Sequence, residues 1–186
     1  MKKSLLILLV SSVIVVSFQV ARADGLLDIF KRKYGIEPIT DPLYEESCGE
    51  CHFAYQPGWL PKASWKKLLE PSALEDHFGE NAELEEEDRI KVLKFLTENA
   101  ADDSSYRLSK KIMHSLKKGQ TPLKMSKTRY LHRKHDEIPP RYVTGNKKVR
   151  LLSNCDRCHT GAKKGIFEED TVVIPGYGPW NKLDDD

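Results

Sequence analysis

The sequence predicts a mainly α-helical protein, divided into two domains and carrying long loops. Three observations support this. Apolar residues recur at helical spacing in several stretches, no alternating strand pattern of useful length appears, and a Cys-x-x-Cys-His motif occurs once in each half. The division falls at Asp102-Asp103-Ser104-Ser105, where the sign of the charge also flips. Residues 24–103 form one expected domain and residues 104–186 the other.

The N-terminus reads as an export signal. Lys2 and Lys3 precede an uncharged run of 14 residues, Leu5 to Phe18, and Ala21 and Ala23 give the small-x-small pattern of a signal peptidase site. A spanning helix needs roughly 17–25 residues. Residues 1–23 are therefore expected to be removed after Ala23, leaving a soluble protein in the periplasm; a retained anchor is the alternative. Cleavage changes the balance from 30 basic and 28 acidic residues to 27 and 28.

The remaining charge is uneven. Residues 24–104 hold 19 acidic and 9 basic side chains, whereas residues 105–165 hold 3 and 17. Export argues against nucleic acid as the partner of that basic half. Docking to an acidic protein face suits it, with plain solvated charge as the competing reading.

Asp41-Pro42 supplies a capping carboxylate and a first-turn proline, so a short helix is expected to run into CGECH at 48–52. Residues 56–61, QPGWLP, break it, and a second helix begins near Ser64. The clearest helix spans Glu83 to Ala100. Its N-terminal end is crowded with acids that favour the positive end of the helix dipole, and its apolar stripe is Ile90, Leu93, Leu96 and Ala100. Leu108, Ile112 and Leu116 predict another helix ending at Gly119. Residues 120–147 read as irregular, a helix is expected to resume near Val149 and lead into CDRCH at 155–159, and TVVIP at 171–175 is the one brief strand signal. So few apolar runs leave a core that something else must complete.

The two motifs use all four cysteines of the chain. A zinc site of four thiolates needs no histidine after each pair, and Cys51 and Cys155 are far apart for a compact zinc ribbon. A redox dithiol expects a βαβ setting that is missing here, and a disulfide within Cys-x-x-Cys also ignores the histidines. Haem attachment accounts for every residue. Cys48 and Cys51, and likewise Cys155 and Cys158, each present two thiols that can add to the vinyl groups of one haem, and His52 or His159 then reaches the iron as proximal ligand. Two covalently bound haem c groups are expected, and a large planar apolar body would supply the missing core.

For the other axial position the chain offers His77, His114, His132, His135, Met113 and Met125. His77 lies 25 residues after His52, and His135 lies 24 before His159. His132 and His135 are three apart, which on a helix puts them on neighbouring faces, so spacing does not choose between them. His114 reads as a solvated histidine in a lysine-rich stretch, and Met113 as helix packing.

The run SCGECHFAYQPGWLPKASWKKLL with LEDHFGENAEL, and later TPLKMSKTRYLHRKHDEIPPRYV with NCDRCHTGAKKGIF and VVIPGYG, resembles the bacterial dihaem cytochrome c family, often called DHC. The likeness covers roughly residues 44–178; the acidic tail Asp184-Asp185-Asp186 falls outside it. The resemblance implies an N-terminal class I cytochrome c-like domain, an irregular C-terminal haem domain and two histidines on each iron. It assigns His77 to the first haem, and to the second His135, with His132 as the fallback. It implies a carrier of single electrons and not an enzyme, with a membrane cytochrome b as donor and a small c-type haem protein as acceptor. Two histidines should give lower potentials than a histidine–methionine pair, and the basic C-terminal setting should raise the second haem's potential relative to the first. The competing readings are a dihaem peroxidase-like oxidoreductase with one open haem, and the electron-transfer subunit of a periplasmic reductase.

Overall fold

Asp41 sets the first element. Its backbone is extended, and its carboxylate accepts a 2.8 Å hydrogen bond from the Tyr44 N–H, so α1 (Pro42–Gly49) starts with Pro42 in the first turn, where the missing proline N–H costs nothing. The computed structural model describes residues 33–183. The export signal and the Asp184–Asp186 tail lie outside these residues.

Short helices and 3₁₀ turns follow, making a mostly helical architecture. They are α2 (Lys62–Leu68), α3 (Pro71–Glu75), α4 (Glu86–Glu98), α5 (Arg107–Ser115) and α6 (Arg129–His135). A two-residue hairpin pairs β1 (Val173–Ile174) with β2 (Gly178–Pro179), antiparallel, Val173 opposite Pro179. Among the described residues no helix is long and apolar enough to cross a membrane.

The main core gathers Tyr44 of α1, Trp65 and Leu68 of α2 and Val92 and Leu96 of α4, and continues through Leu108 and Ile112 of α5 to Met125 and Leu131. Val92, Leu96 and Ile112 are completely buried. A smaller core of Tyr142, Val172, Ile174 and Trp180 serves the C-terminal hairpin.

Three expectations change. The buried stripe of α4 is Val92 and Leu96, continued by Ala100 just past the helix end, while Ile90 is 53 % exposed, because at about 100° per residue it sits roughly 120° round the helix from Leu96. The irregular stretch contains α6, a helix capped by Thr128, whose hydroxyl accepts from the Leu131 N–H. The helix expected near Val149 does not form. Arg150 takes a left-handed backbone, φ +68°, which no α-helix accommodates, and the second motif instead lies on a 3₁₀ turn, Cys155–Arg157.

Segment 33–36 laces the halves together. The carbonyls of Lys33 and Gly35 accept from the Arg107 and Leu108 N–H groups at the start of α5, and the Ile36 N–H donates to the Gly165 carbonyl at 3.0 Å. Gly165 has φ +74°, and a β-carbon added there would lie 1.9 Å from the Ile36 carbonyl oxygen. Gly165→Ala is accordingly expected to cost about 2–4 kcal/mol in a denaturant titration of the holoprotein; a variant as stable as the parent would show that this crossing carries little load.

Candidate haem sites

The first motif straddles the end of a helix. Cys48 lies in the last turn of α1 and packs against the main core, Gly49 closes the helix, and exposed Cys51 follows in the turn that presents His52. The His52 Nδ1 lies 2.8 Å from the Phe53 carbonyl oxygen. A carbonyl only accepts, so Nδ1 carries the proton and Nε2 keeps its lone pair for a metal.

Facing it is His77, on a tight turn where its N–H donates to the Glu80 carbonyl at 2.8 Å. Phe78 and Gly79 complete that turn with φ +61° and +103°. The rings of His52 and His77 have centres 6.3 Å apart and planes 21° from parallel. Burial, then the neighbouring His52, lowers the pKa of His77. Its Nδ1 is buried without a hydrogen-bond partner.

The second motif is held by the hairpin. Val173 N–H donates to the Cys158 carbonyl at 3.0 Å, and His159 forms a bridge with Val172. Opposite stands His135, the last residue of α6, whose Nδ1–H donates to the Leu131 carbonyl at 2.9 Å and leaves Nε2 free. The ring centres of His135 and His159 are 6.2 Å apart with planes at 72°. A cavity of about 440 Å³ is lined by Cys155, Cys158, His159 and His135 together. Burial, then the nearby His135, pushes His159 down to about 4, and its Nδ1 too is buried without a partner.

The structure thus brings His52 to His77 and His159 to His135. His132 and His114 are exposed, Met113 is half-buried and Met125 belongs to the main core. Sequence reasoning missed the neighbours of His77. The Lys124 ammonium lies 4.3 Å from the centre of the Phe78 ring, reaching from the C-terminal half onto the turn of the first site; Gly79 marks a turn in the sequence, but nothing there announces Lys124.

These residues fit haem. An imidazole nitrogen binds a transition metal at about 2.0–2.1 Å and its ring centre lies roughly 1.1–1.2 Å further back, so two imidazoles on opposite sides of one ion have centres about 6.2–6.6 Å apart. Both pairs sit at the near end of that span. Among the described residues no group of three or more His, Cys, Asp and Glu side chains is placed to hold a metal. Two nitrogens per site suit a group that brings its own four equatorial donors. The thiols fit as well. None of the four cysteines is in a disulfide, and burial raises Cys48 to about 11 and Cys155 to about 12, the reverse of an activated redox dithiol.

A family model described as dihaem cytochrome c matches residues 44–167. The chain belongs to the dihaem cytochrome c family. Two solved structures agree in fold and sequence. The dihaem cytochrome type c of Shewanella baltica OS155 is 37 % identical, with a TM-score of 0.60, over 75 % of this chain and 96 % of its own. The dihaem cytochrome c of Rhodobacter sphaeroides is 40 % identical, with a TM-score of 0.61, over 70 % of this chain and 99 % of its own. No curated relative matches the chain. As a dihaem cytochrome c, it carries two covalently bound haem c groups, whose chemistry is electron transfer.

Proposed function

We propose that this dihaem cytochrome c is a periplasmic relay that passes single electrons from a membrane cytochrome b to a small soluble c-type haem protein, and that it is not an enzyme. Cys48 and Cys51 would hold one haem and Cys155 and Cys158 the other, with His52 and His77 as ligands to the first iron and His159 and His135 to the second. The observation that carries this is the pair of facing imidazoles beside each Cys-x-x-Cys, at 6.3 and 6.2 Å. The N-terminal half, residues 24–103, is class I cytochrome c-like, and the C-terminal half, residues 104–186, is a loop-rich haem domain. The export signal, cleaved after Ala23, delivers the chain to the periplasm.

Haem iron supplies a one-electron couple. His52 with His77, and His159 with His135, would hold the two irons and leave no position for a substrate, so the chemistry supplied there would be electron transfer. His135→Ala should turn the second haem high-spin and let it bind carbon monoxide, whereas His132→Ala should leave the spectrum unchanged. Rapid carbon monoxide uptake by the unmodified protein would favour an enzyme with an open haem.

The two sites differ in cover. Cys51, Phe78 and Gly79 are exposed around the first, while Phe167, Val172 and Trp180 close over the second. Arg107, Lys111 and Lys134 line the second cavity, but so do Glu137, Glu168 and Glu169, which offsets the basic excess of this half. Burial therefore becomes the main reason to expect the higher potential at the second haem, because it penalises the more charged ferric form. A potentiometric titration followed by electron paramagnetic resonance can assign the two, since planes at 21° and at 72° split the iron orbitals differently. The lower potential at the second haem would refute the expectation.

A cleft of about 690 Å³ runs between the motifs, from Cys51 and His52 to Asp156 and Arg157. Lys147, Lys148, Arg150, Arg157 and Lys163 line it against Glu45, Glu50 and Asp156, and Lys163 is already paired with Glu45 at 3.1 Å. This net positive lining beside both attachment sites supports an acidic docking partner. Electron-transfer rates to an acidic haem protein should fall about tenfold from low to high salt, and Lys147→Glu with Lys148→Glu should reduce the low-salt rate. Rates indifferent to both would remove the docking assignment.

A further inference from the structure

We propose that Tyr55 is the bridge through which the two haem sites exchange electrons, an inference that rests on the ligand reading above. Its ring stacks on His52, centres 5.2 Å apart and planes 29° from parallel. Its hydroxyl donates a 2.8 Å hydrogen bond to the carbonyl of Ser153, 98 positions along the chain. That same carbonyl oxygen lies 3.7 Å from the Cys155 sulfur. A run of close contacts therefore leads from the axial imidazole of one site to the anchoring sulfur of the other, with one side chain spanning most of it.

The geometry is fixed from several directions. The Tyr44 hydroxyl donates to the Tyr55 carbonyl at 2.6 Å, and Phe53 sets its ring edge-on to Tyr55 at 5.8 Å and 78°. Tunnelling weakens steeply across empty gaps and less steeply through covalent and hydrogen bonds. A phenol that stacks at one end and donates a 2.8 Å hydrogen bond at the other is thus a better conduit than van der Waals contact alone. A second run of rings, Trp59 to Phe167 at 4.9 Å and Phe167 to His159 at 5.3 Å, ends at the second site. Among the described residues it puts no ring against His52. In the exchange, one electron leaves the reduced site and arrives at the oxidised one. Tyr55 ends as it began, neither oxidised nor deprotonated.

Tyr55→Phe keeps the ring and removes only the hydroxyl link. In the half-reduced holoprotein, proton magnetic resonance exchange broadening should report inter-haem transfer slowed several-fold, with both midpoint potentials and the low-spin spectra unchanged. Gln56→Leu is the control. Gln56 is fully buried and also ties the halves, donating to the Ala162 carbonyl at 2.6 Å, so its loss loosens the same junction while sparing Tyr55. An unchanged rate in Tyr55→Phe, or an equal slowing in both variants, would overturn the bridge. Failure of the underlying ligand reading would show separately, as a high-spin or carbon monoxide-binding spectrum in the unmodified protein.

Discussion

Two imidazoles held across a gap of little more than 6 Å, from elements distant in sequence, are the constraint on which both halves are built. Neither gap is a natural outcome of apolar collapse, since buried imidazoles facing each other repel when charged and lose solvation when neutral. The lowered pKa of His77 and of His159 expresses that cost. A metal ion between the rings would reverse the sign of the interaction, because both lone pairs would then find an acceptor. On the proposed ligand assignment the energetic balance of each gap would close when the haem is bound.

The scaffolding that achieves this is economical. In the N-terminal half, α2 and α4 pack a conventional core beneath the first motif, so His52 is presented from a firm base and only His77 depends on a turn. The C-terminal half has little core of its own. It relies on backbone crossings, Gly165 against Ile36 and Cys158 against Val173, and on a hairpin too short to be stable alone. Loops of this kind remain ordered when a large apolar body replaces the missing side chains, and the cavity lined by Cys155, Cys158, His159 and His135 would accommodate such a body.

Local chemistry was legible in the sequence. The Asp41-Pro42 cap and the acid-rich start of α4 each depend on residues a few positions apart; the cap is found where it was expected, and α4 begins at Glu86, three residues after the expected Glu83. The meeting of His135 with His159 was not legible from spacing. It depends on α6, a seven-residue helix in a lysine-rich stretch with little periodicity, set in place by Thr128. The failed helix before the second motif has a similar cause. Residues 149–154 have ordinary helix propensity, but tertiary contacts override it: the buried Asn146 donates to the Pro175 carbonyl, and Asn154 donates back to the Val149 carbonyl, fixing a turn with Arg150 in the left-handed region.

The two facing histidine pairs repeat one device with the roles exchanged. At the first site the histidine inside the motif, His52, donates its Nδ1–H to a backbone carbonyl while His77 has a buried Nδ1 without a partner. At the second site the distant histidine, His135, makes that bond and the motif's own His159 has the unpartnered nitrogen. A carbonyl acceptor strengthens donation from the far nitrogen and stops the ring from turning, so each pair has one member oriented by the backbone and one held by its packing. At the first site the ring without that bond hangs from a turn exposed to solvent, and it rests close to parallel with its mate. At the second it packs against Phe167 on a backbone bridged to Val172, and the planes stand nearly perpendicular. The same Cys-x-x-Cys-His motif with a facing histidine, in two different mechanical settings, makes the two sites inequivalent.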